Sequence, residues 1–93
     1  MSMHVRAASV TIHVPSAQTL KDKRQILRSL LDRTRRQFNV AIAEVDAMDC
    51  CQKIVVGLAC VSNSDHHAAM MLDEVIRFIE NNFAADIVSI EMF

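Results

Sequence analysis

The sequence predicts an α+β fold in which a single layer of strands is covered on one side by two helices. Three observations carry that expectation. From residue 5 to 14, apolar and polar side chains alternate with the period of two that marks a half-buried strand. Two later stretches, beginning at Thr19 and at Asn63 or Ser64, repeat apolar residues at the 3.6-residue spacing of an amphipathic helix. The chain of 93 residues holds one glycine, Gly57, and one proline, Pro15, so its elements run almost uninterrupted. Average usage gives about 11 of the two combined at this length. The length suffices for one hydrophobic core and not for two, so residues 1–93 are read as a single domain. An apolar fraction of 52% with 23% charged residues is that of a folded chain rather than a disordered one.

In the first strand, Ala8, Val10, Ile12 and Val14 share one face, and Ser9, Thr11 and His13 the other. Pro15 ends it, because proline has no N–H to give to a ladder. Thr19 caps the first helix with Asp22 in capping-box position, and Leu20, Leu27, Leu30, Leu31, Thr34 and Phe38 form its apolar stripe. Arg33, Arg35 and Arg36 crowd the last turn, where cations suit the negative end of the helix dipole, and Asn39 is the expected stop. Val40–Asp46 and Lys53–Ser62 read as strands, joined by a connection short enough for an antiparallel hairpin. Gly57 lies inside the third strand, where glycine marks a bulge or a close backbone approach. The second helix buries Ala68, Met71, Leu72, Val75, Ile76 and Ile79 and ends at Asn81–Asn82; a last strand spans Asp86–Phe93.

The order β-α-β-β-α-β, with right-handed crossovers, assembles most simply as a ferredoxin-like sandwich. No helix is left to cover the sheet's other face. Val5, Ala41, Ala43, Val45, Val55 and Val61 are expected there with Thr11 and His13. That surface is too apolar for water, and a homodimer packed through the sheet is the expected consequence.

Composition excludes many chemistries. One glycine cannot build a P-loop, a dinucleotide-binding fingerprint, a G-x-S-x-G elbow or an acylphosphatase-type phosphate cradle. An RNA-recognition motif stacks bases on aromatics of its first and third strands, and VRAASVTIHV and KIVVGLACVS contain none. A metal chaperone of this fold carries C-x-x-C before the first helix, where this chain has VPSAQTLKDK. Cys50 and Cys51 are adjacent and cannot easily share an unstrained disulfide, so they are read as small apolar residues of a reducing compartment. The N-terminal MSMHVRAAS lacks an apolar export core, and the longest apolar stretch, Ile54 to Val61, is too short to span a membrane. A cytoplasmic protein is expected, with no cofactor, metal, membrane or small-molecule substrate.

Asp65, His66 and His67 open the second helix, but neighbours about 100° apart around a helix do not face one metal, and a polar first turn is the plainer reading. His4 and His13 fall on opposite strand faces. Glu44, Asp46 and Asp49 cluster at the hairpin, where a solvated tip outweighs an acid/base pair because no nucleophile accompanies them. No catalytic residue is assigned, and the protein is expected not to be an enzyme. Met70 falls on the polar side of its helix and marks a contact surface.

One charged feature remains. Seven of the ten basic residues lie between Lys21 and Arg36. Lys21, Arg24, Arg28 and Arg35 project within about 60° of one another on the first helix. Aligned cations on a rigid helix suit a phosphate backbone, and these four are the predicted nucleic-acid contacts. Asp32 beside them has i±4 spacing to Arg28 and Arg36. The alternative is an interaction or dimerisation module that uses the same arginines on an acidic protein surface, with no nucleic-acid contact. The net charge of −1 conceals this polarity: residues 1–38 carry eight basic and two acidic side chains, and residues 39–93 carry two and nine.

Leu20-Lys21-Asp22-Lys23-Arg24, Phe38-Asn39-Val40 and Ala43-Glu44-Val45, with a third strand closing on Val61-Ser62-Asn63, resemble the YlxP-like family of bacterial proteins, a domain of unknown function. The resemblance covers nearly the whole chain. Thr19 stands where the family usually has serine, which keeps the cap, and Cys50–Cys51 replaces a bulkier apolar or aromatic pair. The resemblance implies the ferredoxin-like fold and no established activity. The family's gene neighbours, factors of transcription termination and translation initiation, imply a role linked to RNA or the ribosome.

Overall fold

A computed structural model describes residues 2–93. The elements are β1 (His4–His13), α1 (Leu20–Gln37), β2 (Ala41–Asp46), β3 (Lys53–Ser62), α2 (Asp65–Asn82) and β4 (Asp86–Met92). The strands form one antiparallel sheet in the order β2-β3-β1-β4. This is the ferredoxin-like α+β arrangement, with element ends within one or two residues of those predicted. Neither helix is long and apolar enough to cross a membrane.

The core lies between the sheet and the two helices. Ala8, Val10 and Ile12 of β1 and Ile54, Val56, Leu58 and Cys60 of β3 point into it. They meet Leu27 and Leu30 of α1 and Ala68, Leu72, Val75, Ile76 and Ile79 of α2. Thr19 caps α1 as expected, its Oγ1 accepting from Asp22 N at 3.1 Å, and of the two starts open for α2 it is Ser64 that caps, its Oγ accepting from His67 N at 3.3 Å. Asp22 Oδ2 reaches back to accept from Gln18 N at 3.1 Å, nearly closing a capping box.

At the far ends of the helices, Phe38, Phe78 and Phe83 pack edge to face with ring centroids 5.4 and 6.1 Å apart. Arg33 of α1 lies 4.7 Å over Phe83 and bonds both the carbonyl and the side-chain oxygen of Asn82. The last turn of α2 has no cation of its own. Arg33 therefore serves the negative end of α2 from the neighbouring helix, while Arg35 and Arg36 lie in the last turn of α1.

Two bulges shape the sheet edges. In β2 the register shifts between Glu44 and Asp46, so Val45 is an extra residue opposite β3. Val45 folds over Gly57, where an added Cβ would lie 2.9 Å from Val45 Cγ1. The glycine in mid-strand is thus a close approach, as its position predicts. In β4 a second shift falls opposite Thr11 and Ile12, and Val88, Ile90 and Met92 stay exposed along that edge.

Candidate nucleic-acid interface

The helix α1 sorts its basic residues by face. The apolar stripe turns to the sheet, and Lys21, Arg24 and Arg28 stand exposed beside it. None of the three has an ion-pair or hydrogen-bond partner among the described residues. Asp32 is exposed too and does not close the i±4 pairs its spacing allows. Arg35 differs from the other three: its Nη2 donates to Ile42 O of β2 at 2.9 Å. That bond satisfies a carbonyl of the edge strand and anchors the guanidinium, whose other N–H groups remain available. Arg24, Arg28 and Arg35, with Leu27, Leu31 and Asp32, line a shallow hollow of about 220 Å³. From Lys21 to Arg35 the row of cations is about 21 Å long, at 1.5 Å rise per residue.

Beneath this face lies a residue that the sequence reading passed over. Lys23 is 1% exposed. Its Nζ donates to Ala47 O at 2.6 Å and Met48 O at 3.4 Å, and lies 3.0 Å from Glu44 Oε2. That carboxylate oxygen has no other partner, and its contact with the ammonium is ionic rather than an aligned hydrogen bond. Ala47 has φ of 57°, a left-handed conformation rarely adopted by a residue with a Cβ. Its carbonyl also accepts from Cys50 N at 3.0 Å, and its N–H is held by Asp46 Oδ1 at 2.7 Å. Lys23 therefore fixes the β2–β3 connection to the start of α1. Glu44 is half-buried and ion-paired, which corrects the reading of it as part of a solvated tip; Asp46 and Asp49 are exposed as expected. A signal for Lys23 existed. It falls between Leu20 and Leu27 on the apolar stripe, where a charge needs a buried partner.

At the opposite end of the sheet, Arg6 of β1 holds Asp65 at the start of α2 in a bidentate pair of 2.8 and 2.6 Å. Bonding from the guanidinium lowers the Asp65 carboxyl below its ordinary value, and the same bond raises Arg6. His67 Nδ1 lies 3.1 Å from Ser62 Oγ, which also accepts from Ser64 N. Asp65 is thus spent on Arg6, and no trio of potential metal ligands comes together among the described residues. Cys60 is buried, with its thiol pushed up by desolvation; Cys50 is exposed and Cys51 half-buried.

The family model for "Protein of unknown function (DUF503)" matches residues 5–92. The chain belongs to the DUF503 family. It is also 37% identical over 65 residues to the "Uncharacterized protein YlxP" of Bacillus subtilis (strain 168), covering 70% of this chain and 71% of that one. The geometry explains part of the motif that signals this family. In Leu20–Arg24, Lys23 turns inward and Arg24 outward. In Ala43–Val45, Glu44 meets Lys23 and Val45 covers Gly57. Those positions make one tertiary joint between α1, β2 and β3.

Proposed function

We propose that this DUF503 protein acts by contact rather than catalysis, with the outer face of α1 binding the phosphate backbone of RNA, free or in the ribosome. The observation that carries the reading is the set Lys21, Arg24 and Arg28: exposed, on one side of a capped helix, and unpaired among the described residues. Arg35 extends the row from a fixed position on β2. Cations that are already neutralised have little to offer a polyanion, whereas unpaired ones release the counterions of the phosphates they replace. The Lys23–Glu44 pair supports the contact from below by tying α1 to the hairpin. Glu44, the half-buried carboxylate of the hairpin group, is engaged there.

The test is fluorescence anisotropy with a labelled single-stranded RNA over a salt series. Three to four phosphate contacts give a log–log slope of about −2 to −3. Arg24→Glu combined with Arg28→Glu abolishes binding, while Lys53→Glu on the other side of the sheet leaves it unchanged. Absence of binding at low salt, or indifference to the double reversal, defeats the proposal. Recovery of an acidic protein partner in ribonuclease-treated cytoplasm, lost with the same reversal, would establish the protein-interaction alternative instead.

A further inference from the structure

The side of the sheet away from the helices has a shape that the strand register makes explicit. Val5 lies beside Val61, Ala7 beside Ala59, and Ser9 beside Gly57. Strand β2 extends two of these rows with Ala41 and Ala43. Phe93 N donates to Ala7 O at 2.9 Å and carries one of them across β4. The rows Ala41–Ala59–Ala7 and Ala43–Gly57–Ser9 have no side chain of their own larger than a methyl or hydroxymethyl group, and Val45 folds over Gly57 from the β2 side. They form an open apolar trough of about 430 Å³. Next to it Val5 and Val61, 59% and 60% exposed, stand up as a ridge, and Phe93, 71% exposed, rises at one end. Glu91 sits opposite Ser9 on the edge strand, and Lys53 and His13 lie at the far end of the face.

We propose that this face is the interface between two copies of this chain, related by a two-fold axis running across the strands between ridge and trough. Ridge and trough centre are separated by three residues, about 10 Å along a strand. A two-fold axis midway between them lays each copy's Val5 and Val61 in the other's trough and sets the two Phe93 rings side by side. An isologous contact requires such self-complementarity, and face-to-face packing of two twisted sheets supplies the near-aligned strands. The chemistry selects this occupant. Ridge and trough carry no charge for a polyanion to pair with and, Phe93 at the rim apart, no aromatic platform for bases. The exposed surface of Met3, Val5, Val61, Phe93 and the alanines removes roughly 600 Å² per copy from water, near the low end of specific interfaces. Both α1 helices lie on the outer sides of the pair, so the dimer presents two basic faces at once. This inference is independent of what those faces bind.

Sedimentation velocity of the full chain from low micromolar to several hundred micromolar tests it. The wild-type chain shifts from monomer to dimer with concentration. Val61→Lys, at an exposed position whose far-UV circular dichroism reports an intact fold, stays monomeric throughout. Val61→Thr keeps a β-branched strand former, removes the apolar contact and weakens the dimer about tenfold. Ile90→Lys, on the β4 edge, leaves the dimer intact. A wild-type chain that stays monomeric, a dimer indifferent to both Val61 variants, or one abolished by Ile90→Lys alone would overturn the proposal.

Discussion

Replacing Lys23 with methionine keeps most of the side-chain volume and removes the ammonium. Three groups then lose the ammonium: Ala47 O, which keeps its bond from Cys50 N, and Met48 O and Glu44 Oε2, which keep none. Removing one member of a buried pair costs about 3–5 kcal/mol, because the other charge stays desolvated. Here the Glu44 side chain is 20% exposed and recovers some hydration, so the lower end, about 3 kcal/mol, applies. For a domain of this size that corresponds to a fall in Tm of roughly 12–24 °C. Lys23→Met with Glu44→Leu removes both charges together. The double variant is therefore less destabilised than Lys23→Met alone by about 1–2 kcal/mol, the signature of coupled residues. Urea unfolding followed by circular dichroism at 222 nm measures all the corners of the cycle. A cost below about 1 kcal/mol for Lys23→Met, or strict additivity in the double variant, would show that the pair does not hold the joint together.

Asp65 has a depressed carboxyl in the folded state, so its pairing with Arg6 stabilises the fold above the unfolded carboxyl value, about 3.9, and is lost as pH falls through the lower folded one. The Tm difference between wild type and Asp65→Asn is accordingly flat from neutral pH to about 5 and shrinks below about 4; a gap unchanged at pH 2 contradicts it. Gly57→Ala puts a methyl 2.9 Å from Val45 Cγ1 and costs about 1 kcal/mol, the low end of overpacking, because Val45 is half exposed and can turn aside. Chemical denaturation finds that cost removed in a Val45→Ala background if the contact is its source.

Much of this molecule is legible one element at a time. The alternation in β1, the stripes of both helices, the cap at Thr19 and the lone glycine of β3 are local patterns, and each sits where its pattern places it. Faces follow from period, so the four cations of α1 were also within reach of sequence. What period does not encode is the partner of a polar group. Glu44 and Lys23 are 21 positions apart, Arg6 and Asp65 59, and Arg33 meets Asn82 across the ends of two helices. Arg35 looked like its three neighbours until β2 came alongside with a free carbonyl at Ile42.

Short-range sterics and hydrophobic periodicity thus determined the elements, their order and the buried side of each. The sheet register decided the rest, because it brings distant residues within the few ångströms over which ion pairs and hydrogen bonds act. It turned Lys23 from one more cation of a basic helix into a buried strut. It also turned a scatter of valines, alanines and one glycine into a ridge beside a trough.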